Sequence, residues 1–269
     1  MPDNALSSES VPGMKVVFLG TGTSVGVPAI GCSCPVCVSD DPHNKRLRTS
    51  LYLQAGSTHV VVDTSPDFRM QVITCKVPRV DALVFTHSHA DHILGFDDIR
   101  RFNTIQECRI PAYGSSDTVA DMNRIFDYIH HEHAPGGFRP RVDFHEVSGP
   151  FQIGPITAKP FEVVHAPKTT YGYRFEAAGR TLGYFPDCHE MPAETIRRLQ
   201  GLDMMVLDAL RHRPHSTHLS LDESVGILKT IGAKKSFIVH MCHDLDHEQT
   251  QKQLPASMFV SYDGLVQEW

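Results

Sequence analysis

Thr86-His87-Ser88-His89-Ala90-Asp91-His92 follows directly on the apolar run Val80-Asp81-Ala82-Leu83-Val84-Phe85. A strand that ends in a tight, histidine-rich loop aims several side chains at one point. Neutral imidazole and carboxylate are the ligands that suit zinc, manganese and iron. A lone histidine there would read as an ordinary polar loop residue. The H-x-H-x-D-H spacing is different, because it needs only a few distant partners to become a two-metal site.

Those partners are sought at other strand ends. The run from Ile156 to Val164 ends at His165, Thr181 to Pro186 ends at Asp187, and Ser236 to Val239 ends at His240. In a layered α/β fold, residues at the same ends of neighbouring strands converge on one cleft. His87, His89 and His165 would then make one metal site. Asp91, His92 and His240 would make the other, with Asp187 bridging them. Asp91 is expected to serve the chemistry as well as the metal. Any one of the distant residues alone would be an ordinary buried or loop residue, so the weight lies in their joint occurrence.

Upstream, Met14 to Leu19 reads as a buried strand running into Gly20-Thr21-Gly22-Thr23-Ser24-Val25-Gly26-Val27-Pro28. This is not a dinucleotide fingerprint, since the glycine spacing is wrong and no ordinary helix follows. A phosphate cradle and a plain tight turn both remain open. Cys32, Cys34 and Cys37 then place three thiolates on one small knuckle, a half-site for tetrahedral zinc whose fourth ligand must come from far along the chain. Asp63 ends the strand 59–62. It suits either a partner for a ligand histidine or a cap for a helix over 67–72.

The 269 residues, 41% hydrophobic with a formal net charge of −6, read as one domain over 13–269 after a disordered tail, 1–12. The acidic balance speaks against a large nucleic-acid partner. No stretch is apolar enough to span a bilayer and the N-terminus lacks the pattern of a secretory signal, so a cytoplasmic location without a membrane partner is expected. Helices are expected over 93–103, with an Asp98–Arg101 pair, and over 117–130, 192–199 and 221–231, the last capped by Ser220 or Asp222. His130, His131 and His133 are expected at the surface or rim, because they lack a strand-end setting.

The H-x-H-x-D-H loop, followed at distance by His165, Asp187 and His240, resembles the metallo-β-lactamase superfamily. The resemblance runs from about Met14 to the C-terminus and implies a four-layer αββα sandwich with two divalent metals, zinc or manganese, at one edge. Gly20-Thr21-Gly22-Thr23, Gly26-Val27-Pro28 and Gly31-Cys32-x-Cys34-x-x-Cys37 are similar to the PhnP branch of cyclic phosphodiesterases, as are Tyr171-Gly172-Tyr173 and Ser216-Thr217-His218-Leu219-Ser220. That likeness implies a structural zinc on Cys32, Cys34, Cys37 and His243, with His247 and Cys242 as competitors for the fourth place. It also puts His218 where a substrate-facing, catalytic histidine belongs, as general acid or hydrogen-bond donor; His212 and His215 compete. The implied function is hydrolysis of a small cyclic or nucleotide-like phosphodiester. No long insertion like the RNA-binding arm of the transfer-RNA-processing nucleases is evident, and a homodimer is compatible with the reading. Rival readings are another hydrolase of the superfamily (an RNA-processing nuclease, a thioesterase or a lactonase) or an iron-dependent oxygenase like PqqB, which carries a similar cysteine knuckle.

Overall fold

The computed structural model describes residues 11–131 and 138–269. The expected tail lies outside the described residues up to Ser10, as does His133. Strand β1 (Val11–Gly20) already begins at Val11.

In β1, Val16 and Phe18 enter one core while Val17 and Leu19 enter another, as the period-two alternation of a strand requires. The same split recurs where β11 (Met204–Asp208) sends Met204 and Val206 one way and Met205 and Leu207 the other. A strand that is apolar on both faces must be covered on both faces, and the architecture follows from that.

Among the described residues there are two seven-stranded sheets. The first runs β14 (Val266–Glu268), β1, β2 (Ser50–Gly56), β3 (Thr58–Val62), β4 (Ala82–Val84), β5 (Ile110–Gly114), β6 (Val142–Glu146). The second runs β13 (Met258–Val260), β12 (Lys235–Val239), β11, β10 (Arg180–Phe185), β9 (Thr170–Ala177), β8 (Ile156–Val163), β7 (Phe151–Ile153). Each is mixed: β3 through β6 are parallel and β1 through β3 antiparallel, while β10 through β13 are parallel and β7 through β10 antiparallel.

The sheets face each other across a core that includes Phe18, Leu51, Val62, Val84, Phe175, Tyr184, Val206 and Phe237. The outer face of the first sheet is covered by helices including α2 (Phe68–Thr74), α4 (Ile99–Gln106) and α5 (Ser116–Ile125), through Phe68, Ile99, Phe102 and Met122. The outer face of the second packs Leu199, Leu221, Leu228 and Ile231, which flank or belong to α6 (Ala193–Arg198) and α7 (Leu221–Ile231). This is the expected αββα sandwich. Among the described residues no helix is long and apolar enough to cross a membrane.

Local chemistry sets the helix boundaries. α7 carries a full capping box, with Ser220 accepting from the Glu223 N–H and Glu223 accepting from the Ser220 N–H, and Gly232 closes it in the left-handed region. Of the two expected caps, Ser220 is the one used. The segment expected as one helix over 93–103 is broken into α3 (Ala90–Ile93), a short turn at Phe96–Asp98 and α4. The break sits at Gly95, where a Cβ would meet the Ser65 carbonyl oxygen at 2.0 Å. The change of phase replaces the expected Asp98–Arg101 pair with Asp97–Arg100, 2.9 Å apart. The helix expected over 117–130 ends at Ile125 and gives way to a short turn, Asp127–His130. His130 and His131 are exposed, as expected.

Candidate metal centre

Strand ends β4, β8, β10, β11 and β12 open on one edge of the sandwich, and each delivers a polar side chain within three residues of its last strand position. β4 leads through Phe85 and Thr86 into the His87–His92 loop. β8 leads to His165, β10 to Asp187 and β12 to His240. The loop is pinned from below: Tyr173 donates its hydroxyl to the Phe85 carbonyl at 2.9 Å, and Asp63 accepts from the Thr86 N–H and hydroxyl at 2.9 and 2.8 Å.

All seven residues named from strand ends meet here. Ligand-type atoms of His87, His89 and His165 lie within 4.8 Å of one another, as do those of Asp91, His92 and His240, and those of His87, His92 and Asp187. Asp187 reaches histidines of both groups. Its Oδ2 is 3.0 Å from His92 Nε2, and its Oδ1 is 3.4 Å from His240 Nε2 and 3.6 Å from His165 Nε2.

Hydrogen bonds to the far ring nitrogens fix which atoms face the centre. His92 Nδ1 donates to Asp63 at 2.8 Å, His165 Nδ1 to the Thr217 carbonyl at 2.8 Å, and His87 Nδ1 to the Thr86 hydroxyl at 3.0 Å. In its neutral form each of these rings turns an Nε2 lone pair inward. The Nε2 atoms of His87 and His92 are buried with no hydrogen-bond partner. Lone pairs and carboxylates gathered this closely repel unless a cation lies among them, so the donor set fits divalent metal.

The electrostatics divide the cluster. Burial disfavours charge on His87 and, with neighbouring His92, pushes it well below the usual imidazole range. Burial opposes charge at His240 too, but Asp187, Asp91 and Asp208 more than offset it and hold that ring up at about 9. Asp187 is buried as well, yet His240 and His92 keep its carboxyl well below the carboxylate range.

Of the three histidines competing to face substrate, His218 is the buried one. It lines a cavity of about 410 Å³ together with His89, Asp91, His165, Asp187 and His240. His212 is exposed, and His215 spends its Nδ1 on the Thr217 N–H at 3.3 Å. His218 Nδ1 lies 2.8 Å from Asp208 Oδ2, which also accepts from the Cys188 N–H at 3.0 Å. Burial and the nearby His240 push the His218 ring down to about 4. Asp208 was missed in the sequence, where it reads only as the last residue of a buried strand. The signal was present, since an aspartate closing an apolar strand is the pattern that singled out Asp187.

Asp63 settles into the first of its two readings, as the partner of His92; α2 follows Asp67 instead. The glycine loop settles as a tight turn. A Cβ on Gly20 would lie 2.1 Å from the Arg48 carbonyl oxygen and one on Gly22 2.8 Å from that of Arg46, so both glycines pack against backbone. Only Ser24 of that loop lines the cavity.

At the knuckle, Cys34 caps the short helix α1 (Pro35–Val38) and Cys37 is buried in it. His243 Nδ1 is 3.2 Å from Cys32 Sγ and 3.3 Å from Cys37 Sγ, and the four ligand atoms lie within 4.8 Å of one another. The competitors are occupied elsewhere: His247 stacks on His43 at 4.6 Å, and Cys242 Sγ accepts from the Asp244 N–H. Buried Arg46 ties the two segments, donating to the carbonyls of Cys242 and Leu245 at 3.2 and 2.7 Å.

Comparison with known proteins agrees with this geometry. A family model described as a β-lactamase superfamily domain matches residues 58–241. A solved diphosphatase from the PhnP family is 40% identical, over 95% of this chain and 97% of that one, with a TM-score of 0.88. Zinc-bound PqqB from Methylobacterium extorquens superposes with a TM-score of 0.78 over 95% of this chain and 100% of that one, and at 19% identity it shows the fold alone. An octanoyltransferase of Porphyromonas gingivalis is 31% identical over 258 residues, 94% of this chain but 51% of that protein. The chain thus spans about half the length of that curated relative, whose name describes the whole of it. With two thirds of its length matched by the family model and its strand-end histidines and aspartates gathered at one edge of an αββα sandwich, the chain belongs to the metallo-β-lactamase superfamily.

Proposed function

We propose that the protein is a metal-dependent hydrolase of small phosphodiesters, cyclic or nucleotide-like, and that residues 13–269 act as one domain. The observation that carries the reading is the convergence of seven imidazole and carboxylate side chains on a cavity whose wall holds a further imidazole backed by a carboxylate, His218–Asp208. His87, His89 and His165 would hold one divalent ion, and Asp91, His92 and His240 a second, with Asp187 shared. Zinc or manganese suits this nitrogen and oxygen set. Such ions supply Lewis acidity towards phosphoryl oxygens and a water of lowered pKa. Cys32, Cys34, Cys37 and His243 would hold a separate, structural zinc.

The chain's own residues do the rest. Asp63, Thr86 and Thr217 hold the ring orientations, so little reorganisation is needed when substrate arrives. With Nδ1–H held by Asp208, His218 first takes up a proton at Nε2, favoured by the anionic substrate beside it, and then gives that proton to the leaving oxygen or shares it with a phosphoryl oxygen. Asp208 behind it offsets the positive charge that the proton brings. The name of the 40% identical relative, a diphosphatase, supports attack at phosphorus.

The test is turnover of bis(p-nitrophenyl) phosphate and of 2′,3′-cyclic nucleotides with Mn²⁺ or Zn²⁺ present, beside metal analysis. Hydrolysis, with two exchangeable ions and one tightly held zinc per chain, is expected. Absence of turnover on both substrates would sink the reading, and a single bound iron would favour an oxygenase like PqqB instead.

A further inference from the structure

The cysteine knuckle holds chemistry that a structural role leaves unused. Cys34-Pro35-Val36-Cys37 puts two thiols three positions apart on one turn of α1, where such positions are neighbours. The Cys37 N–H donates to Cys34 Sγ at 3.4 Å, so Cys34 caps the turn that carries Cys37. The two differ in access. Cys34 is half-buried, whereas Cys37 is buried and its Sγ accepts from the Ala29 N–H at 3.3 Å. Cys32 lies before the helix, and its Sγ and that of Cys37 both face His243. A reachable thiol backed by a buried one at C-x-x-C spacing lets the first sulfur meet an oxidant and the second close on it.

The loop gripped by the knuckle has other anchors. The Met241 N–H donates to the Thr21 carbonyl and the Thr23 N–H to the Met241 carbonyl, both at 3.1 Å. Arg46 holds the carbonyls of Cys242 and Leu245 on either side of His243. Opening the knuckle therefore frees the His243 ring while the backbone around it stays in place, so the knuckle can close again.

We propose that Cys34 and Cys37 are a reversible oxidation site for peroxides, and that their disulfide and the knuckle zinc exclude each other. The proposal rests on the zinc reading of the knuckle and adds a chemical control to it. Cys34 attacks one peroxide oxygen: an S–O bond forms, the O–O bond breaks, and the departing oxygen leaves as water after taking a proton. Cys37 then attacks the sulfur of Cys34. An S–S bond forms, the S–O bond breaks, and a second water leaves with a second proton. Two electrons pass from the two sulfurs to the peroxide. Cys32 and His243 remain, too few to keep a closed tetrahedral site.

The experiment adds hydrogen peroxide to the wild-type protein. It follows zinc captured by a chromogenic chelator, free thiols, and disulfides mapped by peptide mass. One zinc per chain should be freed in step with the loss of two thiols, with Cys34 joined to Cys37, before the exposed Cys108 reacts. The denaturant midpoint should fall on oxidation and recover with dithiothreitol and zinc. Cys242→Ser should respond as the wild type does. Knuckle thiols that survive while Cys108 is oxidised overturn the proposal, as does a disulfide through Cys32 or Cys242, or an oxidation that dithiothreitol does not reverse. A protein that binds no zinc yet forms the Cys34–Cys37 disulfide keeps the oxidation site and removes the zinc reading. Zinc held firmly with both thiols intact does the opposite.

Discussion

His218 and Asp208 illustrate what a single pair of side chains can be asked to do. If His218 protonates the leaving oxygen, its value depends on the leaving group. A p-nitrophenolate departs without help, whereas the alkoxide of a cyclic nucleotide needs a proton. Asp208→Asn keeps an acceptor for His218 and removes the charge behind it. We expect it, and His218→Gln, to lower kcat for a 2′,3′-cyclic nucleotide on the order of 100-fold while changing bis(p-nitrophenyl) phosphate turnover only a few-fold. Equal losses on both substrates would assign the pair to metal or substrate positioning instead. Metal content, measured alongside, should be unchanged in both variants. Asp208 also shows the limit of reading residues singly. Its strand-end position was visible, but only the fold shows that it faces His218 while Asp187 meets His92 and His240.

At the scale of elements, Tyr171-Gly172-Tyr173 in β9 has a purely steric explanation. The Phe185 ring of β10 occupies the space a side chain at Gly172 would need, and a Cβ there would lie 1.9 Å from Phe185 Cδ1. Phe185 is fully buried and two residues before Asp187. Gly172→Ala should therefore cost about 1–3 kcal/mol through overpacking, read from the denaturant midpoint, and should weaken metal binding because the displaced strand end carries Asp187. Full stability with full metal content would contradict the account. The cysteine knuckle acts at the same scale, joining α1 to the loop after β12. Cys37→Ser should remove one tightly held zinc per chain and lower the unfolding midpoint, since a structural zinc contributes folding energy directly. The loss of stability should exceed any loss of kcat, because His243 is three positions beyond His240 and outside the catalytic cluster. Helix boundaries were less legible than strands here. The break at Gly95 comes from a carbonyl in a distant loop, which no local propensity records.

At the scale of the whole molecule, the two ends of the chain are held together by buried polar groups. Asp263 accepts from the Leu47 N–H at 2.7 Å and the Thr21 hydroxyl at 2.8 Å, linking the C-terminal loop to the segment after β1. Burial pushes its carboxyl up to about 7, despite those hydrogen bonds. A carboxyl that holds its proton more tightly when folded adds stability below about pH 4 and loses that contribution as pH rises through its folded value. Asp263→Asn removes the charge, keeps the Leu47 N–H on its one oxygen and lets the Thr21 hydroxyl turn to accept from the amide. The stability difference between variant and wild type should therefore move in the variant's favour between about pH 4 and pH 7, then level off. Urea midpoints across that range check it, and a flat or opposite trend contradicts it. The sequence by itself marked the strand-end histidines and aspartates and the cysteine knuckle, because both are written in local spacing, and its resemblance to a known family implied the sandwich. Only the tertiary structure decided that Asp208 backs His218, that Asp63 holds His92, that His243 meets the knuckle and that the glycine loop is a turn. Those assignments depend on which residues distant in the chain pack together, and the His87–His92 loop is where most of them meet.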